Sequence, residues 1–207
     1  MEIGFKDRME ARGIFYSFFS RAYREEIDAA FIEELRAACS PEDDLLAPFA
    51  QALHSDDVEA LRRDLAGDYA RCLLGMHADP VSPFESVWVS GLHLMMQEPR
   101  DEVVALYRSE GVDKAQTFHM PEDHIAVELE FAALLCRRAI EAFDENDPVA
   151  LEENIAKQKA FVHGHLAAWV PDFCRKLRVR STTEFYRALA DATEAFIAAD
   201  AEEVDRL

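Results

Sequence analysis

Around position 124 the chain carries more polar chemistry than a helix start requires. The run is Met120-Pro121-Glu122-Asp123-His124-Ile125-Ala126-Val127-Glu128-Leu129-Glu130-Phe131. Pro121 suits the first helical position, because its φ is preset and its missing N–H would have no partner there. Glu122 and Asp123 would then occupy the first turn, where the helix dipole favours carboxylates. His124 and Glu128 follow one turn apart on one face. At about 100° per residue they fall in a stripe with Phe131 and Leu135, beside the apolar stripe of Ile125, Leu129, Ala132 and Cys136. Both therefore lie at the edge of the core-facing side. An imidazole and three carboxylates so placed suit proton transfer, a metal, or contact with a cationic peptide.

Spacing weighs against the metal. Di-iron bundles use Glu-x-x-His from two helices plus two further Glu, whereas His124-x-x-x-Glu128 occurs once. His163 and His165 are two residues apart and would face different ways on a regular helix. No phosphate-binding glycine motif and no recognisable Ser or Cys nucleophile signature is present. A helical enzyme or metal-binding protein using His124 and Glu128 is thus the alternative to a binding module. The expected reading is no enzyme, no cofactor and no metal.

The elements that must position these groups read as helices throughout. Of 207 residues, 50% are hydrophobic, and only 7 are Gly and 8 Pro. Ala, Leu, Glu and Arg favour helix, and no long run alternates as a strand does. The expected fold is all-α, one domain over residues 1–207, a bundle of roughly nine to eleven helices. A first helix spans Phe5 to Arg24 and a short one follows near Asp28–Ala38. Ser40-Pro41-Glu42-Asp43 reads as a cap opening a helix toward His54. Asp56 or Asp57 caps the next, through Tyr69, Cys72 and Leu73. Residues 75–83 form a loop, and Phe84-Glu85-Ser86-Val87-Trp88 leads into a helix through Leu92, Met95 and Met96. Another helix covers about Arg100–Glu110 and stops at Gly111. The central helix runs from Pro121 to about Phe143. Asp147-Pro148 caps one that carries Ile155, Phe161, Leu166 and Trp169 and is broken at Pro171. Ser181-Thr182-Thr183-Glu184 is a capping box for the last helix, with Phe185, Leu189 and Phe196 inward. In a bundle the two long loops would cluster at an end, bringing 84–88 and 121–124 to one groove.

Charge narrows the partners. Lys and Arg total 22 against 41 Asp and Glu, a net charge of −19. Such a surface repels nucleic acid and anionic lipid and suits a cationic peptide. Cys39, Cys72, Cys136 and Cys174 are widely spaced without C-x-x-C, as in reduced cytosolic proteins. No secretory leader and no apolar run of about 20 residues is present. Tyr69, Leu73, Phe84 and Trp88 offer an apolar floor, and Glu85, Asp123 and Glu128 an acidic rim. That pairing fits a peptide with an apolar run and arginines, since guanidinium makes forked bonds to carboxylate.

Three blocks of residues carry a family resemblance. Tyr69-Ala70-Arg71-Cys72-Leu73-Leu74-Gly75 followed by Pro83-Phe84-Glu85-Ser86-Val87-Trp88 is similar to a Tyr-x-x-Leu-Phe pattern and a Pro-Tyr-Glu-Ser-Val-Tyr turn. Pro121-Glu122-Asp123-His124 with Glu128-Leu129-Glu130-Phe131 is similar to Glu-Pro-x-Asp-His-x-x-x-Glu-Leu-Glu-Phe-Met. Phe161 to Phe173 is similar to Phe-x-x-x-His-Leu-x-x-Trp-x-Pro-x-Phe. In this order over about half the chain, they resemble the TorD/DmsD-type redox-enzyme maturation chaperones. Met120, Ala132, Phe84, Trp88 and Leu74 depart from the family pattern. The resemblance implies a cytoplasmic chaperone without catalytic turnover. Its partner would be the twin-arginine signal peptide of a molybdenum-cofactor oxidoreductase, with the apo-enzyme body as a further one. Asp123 and His124 would make central contacts, supported by Glu85 and Glu128, while Tyr69, Leu73, Phe84 and Trp88 hold the apolar part. No nucleic acid or stable membrane insertion is implied. The oligomer would be a monomer or a dimer that exchanges C-terminal helices.

Overall fold

In a computed structural model, residues 4–38 and 47–207 are described. The helices are α1 (Phe5–Arg24), α2 (Ala29–Ala38), α3 (Ala47–Ala52), α4 (Val58–Leu73), α5 (Glu85–Val89), α6 (Glu98–Ser109), α7 (Ile125–Asp144), α8 (Pro148–Phe161), α9 (Ala167–Arg180) and α10 (Glu184–Val204). A π-helical segment, Val162–Leu166, joins α8 to α9. The fold is all-α, and the described residues contain no strand beyond one isolated bridge. The expected cap at Ser40–Asp43, and Cys39, lie outside the described residues.

The chain forms two compact units. Unit 1 comprises 1–24, 84–170 and 196–207; unit 2 comprises 25–83 and 171–195. In unit 1, α1 packs along α7, and Tyr16 and Phe19 meet Phe196 with ring centroids 4.9 and 5.5 Å apart. The Arg12 guanidinium is buried there and donates to both oxygens of Asp200, at 2.5 and 3.0 Å, and to Gln158. In unit 2, Phe49 meets Phe185 and Tyr69 meets Tyr186. Asp68 of α4 accepts from the Thr182 and Thr183 amides and the Thr183 hydroxyl at 2.8–3.1 Å. The donors that open α10 are therefore satisfied by a carboxylate 114 residues away in sequence, in place of the expected local capping box.

Several local expectations are corrected. The central helix begins at Ile125, with His124 as its N-cap in extended conformation (φ −74, ψ 135). Pro121, Glu122 and Asp123 precede it: the Pro121 carbonyl accepts the His124 N–H, while Asp123 bonds to α5 and Glu122 to α6 instead of to a first turn of their own. Helix α5 ends at Val89 and does not reach Leu92. Ser90 is extended, His93 and Met96 have φ of 52 and 61, and Leu92, Met95 and Met96 are exposed. Pro171 lies inside α9 without breaking it. A proline ring clashes with the carbonyl four residues earlier. Here that is Ala167, at the exit of the π segment, whose ψ of −18 tips its carbonyl away from the helical norm. On α8 the inward positions are Asn154, Gln158 and the expected Phe161; Ile155 is half-buried, as is Phe196 on α10.

Candidate functional site

The site of unit 1 forms where two loops meet. Asp123 Oδ2 accepts the Ser86 N–H at 3.0 Å and the Ser86 hydroxyl at 2.5 Å. The Asp123 carbonyl accepts the Glu85 N–H at 3.0 Å. Two amides at the start of α5 are thus held by one residue, which acts as a cap in trans. Phe84 and His124 pair as an antiparallel bridge, their rings edge to face 5.3 Å apart. Ser86 Oγ also accepts the Gln97 N–H at 3.3 Å, tying in the N-cap of α6. Glu122 faces Arg100 at 2.6 Å and Lys114 at 3.3 Å, and Tyr107 donates to its carbonyl. Partial burial pushes the Glu122 carboxyl up, but bonds from its own backbone N–H, then Arg100 and Lys114, hold it below its ordinary pKa.

Beneath this junction lies a buried polar layer. Glu85, Asp123, His124 and Glu128 are 0–3% exposed, so the carboxylates expected on a rim are interior. The physical reason is that each has a structural partner. Trp169 Nε1–H donates to Glu128 Oε2 at 3.0 Å, and His165 Nδ1 faces both Glu85 oxygens at 3.0 Å. Burial, then the nearby Glu85 charge, drives the Glu128 pKa well above its ordinary value. Protonated, Glu128 Oε1 becomes a donor, and Glu85 is the carboxylate beside it. His124 is pushed the other way, down to about 3, by burial and by the Arg24 charge. Its Nδ1 accepts the Ala126 N–H at 3.1 Å, which requires a neutral ring with the proton on Nε2.

Phe84, Glu85, Asp123, His124 and Glu128 come together in this layer, and Trp88 is half-buried on α5. Tyr69 and Leu73 are buried within unit 2. Ser86, Tyr107, His165 and Trp169 were not singled out as site residues from the sequence. The i, i+4 spacing of His165 and Trp169 was the signal for the last two, since it puts both on one face. Although the helix is distorted at His163–His165, the two rings part: His163 is exposed beside Asp205 and His165 is buried against Glu85. Among the described residues no group of three or more His, Cys, Asp or Glu is arranged to hold a metal ion. Among them, too, no helix is long and apolar enough to cross a membrane.

A profile for the nitrate reductase delta subunit family matches residues 29–175. The chain belongs to the TorD/DmsD-type family of redox-enzyme maturation chaperones. A chaperone protein TorD of Photobacterium profundum is 31% identical over 143 residues, 69% of this chain and 65% of that one. That of Vibrio parahaemolyticus serotype O3:K6 is 28% identical over 207 residues, 92% and 93% of the two chains. That of Vibrio cholerae (strain El Tor Inaba N16961) is 30% identical over 159 residues, 72% and 70%. These relatives are named as chaperones, not enzymes, which answers the enzymatic alternative. The profile covers the junction residues Phe84–Trp88 and Asp123–Glu128 together with Trp169.

Proposed function

We propose that the chain is a cytoplasmic chaperone that binds the twin-arginine signal peptide of a molybdenum-cofactor oxidoreductase. In this reading it also engages the apo-enzyme, assists cofactor insertion and delays export until maturation is complete. The observation that carries the reading is the Asp123–Ser86 clamp, because it joins two of the family-type blocks into one rigid edge. Asp123 and His124 hold that edge in place. Glu85 and the neutral Glu128 line its interior, and the half-buried Trp88 beside Phe84 supplies apolar surface for the leader. The −19 charge draws an arginine pair toward the protein. A metal-centred rival loses support from bonds already made: His124 Nδ1 is used by Ala126, and Glu128 Oε2 by Trp169.

Calorimetric titration of a synthetic twin-arginine leader tests the reading. Wild type is expected to bind saturably, and Asp123→Ala/His124→Ala to bind at least about tenfold more weakly. Ser86→Ala is a milder variant that loosens the same edge, and it should show a smaller loss with helicity retained by circular dichroism. Unchanged affinity in both variants would remove these residues from the site.

A further inference from the structure

On a face of α7 other than the one that carries Glu128, unit 1 has a cavity of about 250 Å³. Its floor is apolar: Phe118, Phe131 and Leu134 line it. Phe131 packs on Tyr107 with centroids 4.7 Å apart, which fixes the floor. Its rim carries three cations, Arg24, Lys114 and Arg137, against two carboxylates, Asp113 and Glu130. In a chain of net charge −19 such a grouping runs against the general field.

The cations differ in how firmly they are held. Lys114 is tied to Glu122 and to the Met120 carbonyl. Arg24 lies 5.5 Å from the Phe118 ring centroid and pairs with Glu130, whose side chain is 59% exposed. An ion pair that open to water is weak and readily exchanged. Arg137 is exposed and has no hydrogen-bond or ion-pair partner among the described residues. A ligand seated on the floor therefore meets one unused guanidinium and one loosely engaged.

We propose that this cavity binds an organic carboxylate carrying one aromatic or branched apolar group. The ring or branch fills the space over Phe118, Phe131 and Leu134. The carboxylate takes a forked bond from Arg137, with Arg24 beside it. A cationic ligand would meet like charge, and a neutral one would leave the Arg137 guanidinium unused. A polyphosphate would find an apolar floor where it needs donors. The chemistry is shared by a free small acid and by the C-terminal residue of a polypeptide. The proposal does not depend on signal-peptide binding, which is placed at the α5 edge.

Titration calorimetry on the full chain tests it with three probes: N-acetyl-phenylalanine, N-acetyl-phenylalaninamide and 3-phenylpropionate. N-acetyl-phenylalanine is expected to bind one per chain, and its uncharged amide about tenfold more weakly. Arg137→Gln, an exposed change that leaves the melting temperature in place, should weaken the acid about tenfold and leave the amide alone. Ala115→Trp, at the exposed mouth, should block both. Equal affinity for 3-phenylpropionate and the acetylated amino acid assigns the site to free acids; a clear preference for the latter assigns it to polypeptide ends. Acid and amide binding alike, an unchanged Arg137→Gln, or no saturable binding by wild type would each overturn the proposal.

Discussion

Glu128 and His124 are both driven toward their neutral forms, and the two shifts act on stability in opposite directions. The folded His124 pKa falls from 6.5 to about 3, so its contribution is intact above pH 6.5 and is lost as pH falls toward 3. The folded Glu128 pKa rises above 4.5, so its contribution is intact below 4.5 and is lost as pH rises through the raised value. Each group alone gives a slope of about 1.4 kcal/mol per pH unit in its own window. Above 4.5 the Glu128 loss opposes the His124 gain, and the His124 gain ends at 6.5. Glu128→Gln keeps an acceptor for Trp169 and a donor toward Glu85 without the ionisable proton. Urea midpoints from pH 5 to 9 should therefore fall less steeply for Glu128→Gln than for wild type. Parallel curves would show that Glu128 is not the group held neutral.

At the scale of elements, long helices with a strong local start were legible. Helix α1 spans the residues its pattern marked, and Asp57 and Asp147 cap α4 and α8 with their own side chains. Legibility failed where a polar group works across sequence distance. Asp123 looked like a first-turn acid of α7, yet its bonds go to Ser86, 37 positions earlier. Its burial hid for the same reason, since a carboxylate reads as surface until its partners are known. The stretch 90–96 looked helical from its apolar residues alone, which cannot reveal positive φ at His93 and Met96. Asp68 shows the same long-distance rule in unit 2. Its carboxyl is held below its ordinary pKa: burial opposes this, while the Arg71 and Thr183 bonds outweigh it. Asp68→Ala should cost about 2 kcal/mol, more than a typical cap because the Thr182 and Thr183 amides and Arg71 all lose a partner. Guanidinium denaturation would measure it; a loss under about 0.5 kcal/mol would mean water replaces the carboxylate freely.

At the scale of the whole molecule, each unit is assembled from separated stretches of chain, and unit 1 is closed by residues 196–207. The Arg12–Asp200 pair is its most exacting joint. The Arg12 side chain is 7% exposed and that of Asp200 1%. Burial opposes the Arg12 charge, while the bond to Asp200 more than compensates and raises its pKa. Asp200→Asn should cost about 3–5 kcal/mol, because a buried guanidinium loses its counter-charge while Tyr16 loses a strong acceptor. Equilibrium unfolding would register this as a lower midpoint with little change in slope.

That joint also sets a clock on biosynthesis. Arg12 and Asp200 are 188 positions apart, and a ribosome adding about 5–20 residues each second needs roughly ten to forty seconds to travel between them. Through that interval the α1 guanidinium lacks its Asp200 partner, and unit 1 cannot close around the pair. Unit 1 of a chain whose relatives are named as chaperones is thus itself completed only after residue 200 has been added.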